Sequence, residues 1–331
     1  MPVHYYNICI RVTIAEKYVF QNVESIEINN SLDTLSDTAK ITIPRVFLQK
    51  INQSKSHNRV NLISVINLED KIKIEAGYNE EYNTEFEGYI SAIKDDMPVT
   101  IECEDEMYKL KKAERIKAHF KNADVKDILR KIAPNYKVET FKEFKIGKFS
   151  INNETPYEVL MNLKQNSIRT YFKDGVLHAG LPINLQGFKV HQFNMNRNVR
   201  KGNNLVYEKK KNDYYLKVTS DEIGTSKPIS FEIGKKGNNN KEIQLPAGMS
   251  KEDLKTYATD FYNGVVNTKC RGSFDSWGLP RTSAGDTADI TTPNFPDSSR
   301  NGKYIIESVK ISVSASDGFK RTNTLGVMLY K

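Results

Sequence analysis

Apolar and polar residues alternate with a period of two through most of this chain, which predicts strands with one buried face. Ile8, Ile10, Val12 and Ile14 alternate with Asn7, Cys9, Arg11 and Thr13. Ile26 and Ile28 follow, then Ala39, Ile41 and Ile43 up to Pro44, then Ile72, Ile74 and Ala76 up to Gly77. The stretch 84–110, TEFEGYISAIKDDMPVTIECEDEMYKL, predicts an antiparallel pair around a polar turn. Phe86, Gly88, Ile90 and Ala92 share one face of its first strand. Val99, Ile101 and Cys103 share a face of the second, with Glu102 and Glu104 opposite. Six short strands of this kind over residues 1–105 predict a barrel or sandwich. Segment 45–65 interrupts them, and its polar middle predicts a loop inserted between strands.

The period changes over 106–182. Asn122 precedes a helical pattern of Val125, Ile128, Leu129 and Ile132, which Pro134 ends. Thr155-Pro156-Tyr157-Glu158 is a capping box with proline at the first helical position, and Val159, Leu160 and Leu163 supply the buried face. TYFKDGVLHAG predicts a hairpin turning at Asp174-Gly175. This is a small α/β module. Residues 183–331 return to strands with one helix, about 250–266, inserted. Ser250 and Asp253 form its cap and first-turn acid, and Leu254, Tyr257, Ala258, Phe261 and Val265 recur at helical spacing. A closing hairpin turns at Asp317-Gly318. Ile305, Val309, Ile311 and Val313 lie before the turn, and Phe319, Leu325, Val327 and Leu329 share one parity after it.

Composition narrows the class. The 331 residues are 38% hydrophobic and 27% charged, with no apolar run of 18 residues, so the chain predicts a folded protein without a membrane span. The first residues enter a strand and lack the pattern of a secretory signal. The expectation is a protein that stays where it is made unless it leaves as part of a particle. The net charge of +8 admits nucleic acid as a partner, but the lysines are scattered or sit in short polar runs such as Lys209-Lys210-Lys211 and Lys235-Lys236. Solvated loops account for them.

Motifs for chemistry are missing. There is no GxSxG, no HExxH, no GxGxxG between a strand and a helix, and no phosphate loop; Ile146-Gly147-Lys148-Phe149 lacks the upstream glycine and the following Ser or Thr. Cys9, Cys103 and Cys270 lie far apart and read as small packed or surface thiols. His4, His57, His119, His178 and His191 are never paired at ligand spacing. The acidic cluster Glu102, Glu104, Asp105 and Glu106 is a candidate for glycosidic hydrolysis, which requires one carboxyl of raised pKa facing another across a cleft. Glu102 and Glu104 lie on the polar parity of a strand, so a structural role is the expectation, with Asp105 capping the following turn. No catalytic, cofactor-binding or metal-ligating residue is expected. Trp277, in FDSWGLPRTSAGDTADI, is either an interface anchor or a core plug.

FEGYISAI followed by VTIECEDEMYKL resembles a segment of phage baseplate hub proteins, the late-control gene D-like hubs of contractile tails. These are related to the N-terminal part of type VI secretion spike proteins. DTAKITIP resembles an early strand of their first tube-like barrel. TPYEVLMNLKQNSIRTYFKDGVLHAG resembles the middle module, and WGLPRTSAGDTADI with GKYIIESVKISVSASDGFKRTNTLGV resembles the last barrel. The matches touch all three regions in order. Segment 45–65 has no counterpart.

The resemblance implies a β-rich α+β fold with two tail-tube-like barrels, at 1–105 and 183–331, and a small α/β module at 106–182 between them. It implies a structural, non-enzymatic hub: a homotrimeric ring of six barrels that adapts a six-fold tail tube to a three-fold spike. Tube, spike and other baseplate proteins would be its partners. DNA or effector would pass through the lumen without specific binding, and most lysines would avoid that lumen. The chain would be made in the bacterial cytoplasm and assembled into a virion tail or injection particle, with the needle a separate polypeptide. A baseplate-associated cell-wall hydrolase and a basic nucleic-acid-binding module are the alternatives.

Overall fold

The computed structural model describes residues 7–50, 57–141, 145–181, 188–207, 213–223, 227–293 and 301–329. The fold is β-rich α+β. Its centre is one 13-stranded sheet. Along its main path the strands run Val199–Tyr207, Cys270–Trp277, Gly318–Leu329, Gly302–Ser314, Ser25–Ser31, Thr38–Ile43, Val99–Glu104, Glu81–Lys94, Lys71–Tyr78, Ile8–Ile14 and Tyr18–Phe20. Val190–Asn194 and Thr287–Thr291 pair off this path. Among the described residues the path is open, with no ladder joining its two ends.

Both β-rich ends of the chain enter this sheet. Ser25–Ser31 pairs antiparallel with Gly302–Ser314, from Ser31 opposite Ser308 to Ser25 opposite Ser314. One apolar core follows the sheet, and it joins Ile14, Ile41, Ile74 and Ile101 to Phe193, Phe274, Val309 and Phe319. A second core gathers the helices. It takes α1 (Met107–Lys112), α2 (Val125–Ile132), α3 (Pro156–Gln165) and α4 (Lys251–Asn267), with the sheet Pro228–Gly234, Tyr214–Asp221 and Asn239–Gln244. The described residues of 213–267 thus leave the large sheet and pack with the middle module.

The alternation holds through most strands, and its slips have local causes. The ladder between Glu81–Lys94 and Val99–Glu104 shifts between Ile90 and Ala92. Ile93, not Ala92, then stands opposite Ile101 and joins the core, because one inserted residue reverses the parity. Gly88 sits where a Cβ would lie 2.1 Å from the Glu104 carbonyl oxygen, so this crossing of backbones excludes any side chain. The strand expected to end at Gly77 runs on to Tyr78.

Segment 45–65 is not a plain loop. Val46–Lys50 and His57–Asn61 pair as a hairpin, and residues 51–56 at its centre lie outside the described residues. Phe47 meets Phe20 edge-on at 5.1 Å, while Leu48 on the opposite parity is exposed.

The helix caps follow the sequence closely. Thr155 and Glu158 exchange bonds, as do Ser250 and Asp253. The cap of α2 is Asp124, whose carboxylate accepts from the Lys126 N–H, whereas Asn122 lies within the preceding strand. In α4 Val266, rather than Val265, is buried. No helix among the described residues is long and apolar enough to cross a membrane.

Candidate functional site

Residues 278–286, between strands Cys270–Trp277 and Thr287–Thr291, form a tight loop in which the three regions of the chain meet. Inward alternation on Gly318–Leu329 places Arg321 and Asn323 between Phe319 and Leu325, and both polar side chains are fully buried. The loop and the first region supply their partners. Arg321 Nε donates to the Gly278 carbonyl at 2.7 Å and Nη1 to the Thr282 carbonyl at 3.4 Å. Nη2 donates to Glu85 Oε1 at 2.5 Å, and the Glu85 side chain is only 3% exposed. Thr282 Oγ1 donates to Asn323 Oδ1 at 2.6 Å, and Asn323 Nδ2 donates to Ser276 Oγ at 3.1 Å. Tyr78 accepts from the Gly278 N–H at 3.0 Å and stacks on Phe319. A Cβ on Gly278 would stand 2.3 Å from the Phe319 ring, so only glycine lets the loop lie against it.

The far end of the loop holds the middle module. Lys173 Nζ lies 2.9 Å from Asp286 Oδ1, and His191 Nε2 lies 3.0 Å from Asp286 Oδ2. The Ser283 N–H donates to the same Oδ2 at 3.0 Å. Burial works to raise the Asp286 pKa, but the His191 hydrogen bond and the Lys173 charge outweigh it and hold the carboxyl below its ordinary range. Asn30 of the first region accepts from the Ala284 N–H and donates to Asp37.

Asp37 opens onto a cleft of about 410 Å³ at this junction, with Glu85, Asp105, Lys173 and Arg281 among its walls. Asp105, buried, and Asp37, half-buried in the cleft wall, form a carboxyl pair. Burial, then the charge of Asp105, pushes Asp37 up to about 7; burial pushes Asp105 up to about 6. The protein already engages every oxygen of the pair. Asp37 accepts from the Ser31 N–H and from Asn30. Asp105 accepts from the Ser36 hydroxyl and the Met107 N–H on one oxygen and from the Asp37 N–H on the other. The arrangement braces strand ends and caps the turn into α1.

The other acidic candidates are dispersed. Glu102 pairs with Lys94 and Glu104 with Lys111, while Glu106 accepts from the Tyr89 and Tyr136 hydroxyls. Asp105 caps as its position implied. The carboxyl pair of raised pKa is therefore Asp37–Asp105 rather than any pair within the cluster, and Asp37, Glu85, Lys173, Asp286 and Arg321 were not singled out by residue spacing. The signal for Arg321 was present: a charged residue on the apolar parity of a long strand.

Cys9, Cys103 and Cys270 form no disulfide, and the last two are buried. His119 is exposed beside Ser150, and His178 stacks on Tyr171, where burial holds its pKa down. His4 and Lys209-Lys210-Lys211 lie outside the described residues. Trp277 is 48% exposed, with the Arg200 guanidinium 5.1 Å from its ring, so it is no core plug. No group of three or more potential metal ligands occurs among the described residues.

No family model and no curated protein matches the chain. Solved structures do match. The 43 kDa tail protein of prophage MuSo2 from Shewanella oneidensis superimposes with a TM-score of 0.63 at 15% identity, over 97% of this chain and 98% of that one. A tail protein from Neisseria meningitidis gives 0.63 at 11%, over 97% and 96%. An Escherichia coli component of the type VI secretion system, described as structurally similar to bacteriophage T4 tail proteins, gives 0.55 at 12%, over 98% and 77%. At these identities the likeness is one of fold: the chain has the fold of phage tail proteins and of a type VI secretion component.

Proposed function

We propose that this chain is a structural hub subunit of a contractile-tail baseplate or a related injection machine. The observation that carries the reading is a shared fold over nearly the whole of both chains, this one and a prophage tail protein. In this reading 1–105 and 183–331 supply two tube-like barrels and 106–182 the module between them. Three copies then close a ring of six units that adapts a six-fold tube to a three-fold spike. Tube, spike and other baseplate proteins are its partners, and nucleic acid or effector passes through its lumen. The chain is made in the bacterial cytoplasm and leaves it only as part of a particle.

Two local features support the reading. The junction loop spends its polar groups on bracing three regions together, which suits a part that transmits load. The two end strands of the sheet path, Val199–Tyr207 and Tyr18–Phe20, each lack a partner on one side among the described residues. Strand edges of this kind are covered when neighbours pair around a ring. Native mass measurement of the purified protein, alone and with its spike partner, tests the proposal. Three copies per particle are expected. A monomer at high concentration under both conditions overturns it.

A further inference from the structure

The outward face of the central strands carries an ordered row of charge. Lys40 stands directly opposite Glu102 on one side and Glu27 on the other. Lys94 Nζ bonds Glu102, and Lys310 Nζ lies 2.8 Å from Glu27 Oε2. The row therefore reads Lys94, Glu102, Lys40, Glu27, Lys310, with each carboxylate between two lysines. It crosses from the N-terminal strands to the C-terminal hairpin. Hydroxyls border it, with Thr42 opposite Thr100 and Ser25 opposite Ser314.

Two properties set this face apart. The chain carries +8 overall, yet along this row every negative charge is matched by its neighbours. Neighbouring strands are about 4.8 Å apart, and charges alternating at that spacing cancel within a few ångströms of the surface, well inside a Debye length of about 8 Å. The exposed large apolar side chains of the described residues, Val19, Leu48, Val206 and Trp277 among them, all lie off the strands Ser25–Ser31, Thr38–Ile43, Val99–Glu104, Gly302–Ser314 and Gly318–Leu329. Trp277, opposite Lys320, marks the edge of this face on the next strand; an assembly that covers exposed apolar surface leaves the charged row itself wet.

We propose that this face lines the passage of the ring, and that its alternating charges keep a polyanion, duplex nucleic acid, from adhering as it moves through. The inference rests on the ring reading and deepens it. A face of unpaired lysines would hold phosphates through counterion release; this one offers each lysine a carboxylate instead.

The experiment compares the wild type with Glu27→Gln/Glu102→Gln, using fluorescence anisotropy on short linear duplex DNA over a range of salt. A control, Glu232→Gln/Glu242→Gln, makes the same change in net charge on the smaller sheet. The row variant is expected to bind at least about tenfold more tightly than wild type or control at low salt, with a log–log salt slope steeper by about 2. The gain is expected on linear duplex and not on covalently closed circles, which cannot thread a ring. Equal binding by row variant and control, or an equal gain on circles, overturns the inference. Native mass measured on the same samples separates the two ideas. A trimer without the gain sinks this inference alone, and a monomer sinks the ring reading together with the lumen assignment.

Discussion

The two large cores among the described residues are assembled on different principles. The sheet core joins strands near both ends of the chain, and its seam is long-range: Ser25–Ser31 beside Gly302–Ser314, Glu85 against Arg321, Asn30 against Ala284. The helical core is built more locally, from capped helices whose buried faces recur every three or four residues. The difference teaches where specificity is stored. Apolar strands pack in many registers, and a buried arginine with a single matching carboxylate selects one. Capped helices need no such key, because cap and spacing already determine what faces inward.

The largest test of this contrast removes the key. Glu85→Ala leaves Arg321 charged and unpaired in the core and is expected to lower stability by about 3–5 kcal/mol, measured by denaturant unfolding. Signals from the N-terminal strands and the C-terminal hairpin should be lost together. A change well under 1 kcal/mol would show that the seam does not depend on this pair.

Leu160→Ala probes the other core. Leu160 is fully buried on α3, and its truncation is expected to cost about 2–5 kcal/mol. Hydrogen exchange should then quicken in α3 and in segment 213–267 alike, while the large sheet stays protected. Equal loss of protection in the large sheet would mean that the two cores are one cooperative unit.

Titration separates the ends of the junction. Asp37 and Asp105 have folded pKa values above the ordinary carboxylate value of about 3.9, so their contribution is fully present below that pH. It is lost progressively as pH rises through about 6 to 7. Asp286 has the opposite sign: its folded pKa is depressed, so its contribution is present at neutral pH and lost as pH falls through the acid range. Melting temperature against pH should decline between about pH 4 and 7 relative to an Asp37→Asn variant. Parallel profiles for the two proteins would remove the carboxyl pair from the account. The smallest effect is expected at a cap: Thr155→Ala should cost about 1 kcal/mol and destabilise α3 without moving the large sheet, as read by hydrogen exchange.

Much of this was legible from residues alone. Alternation located six of the nine strands among the first 105 residues, missing Tyr18–Phe20, Val46–Lys50 and His57–Asn61, and it located the closing hairpin; cap chemistry located α3 and α4. The motif strings anticipated a fold that the solved tail proteins share. Other features were hidden for identifiable reasons. Arg321 and Asn323 break an apolar parity, and nothing near them in sequence says that partners 236 and 41 positions away will satisfy them. Asp37 is an ordinary pre-strand aspartate until Asp105 is folded against it. Segment 45–65 is too polar at its centre to announce the hairpin that Phe47 anchors on Phe20.

What the sequence by itself determined is local: which residues face inward along most strands and helices, and the neighbourhood in which most of those elements start and stop. These follow from backbone periodicity and from side chains reaching their own neighbours. Tertiary structure alone decided that both ends of the chain share one sheet, that the described residues of 213–267 pack with the middle module, and that a nine-residue loop gathers all three regions. Burial, charge pairing and shifted carboxyl pKa values depend on what surrounds a group, and that environment exists only once distant segments have met.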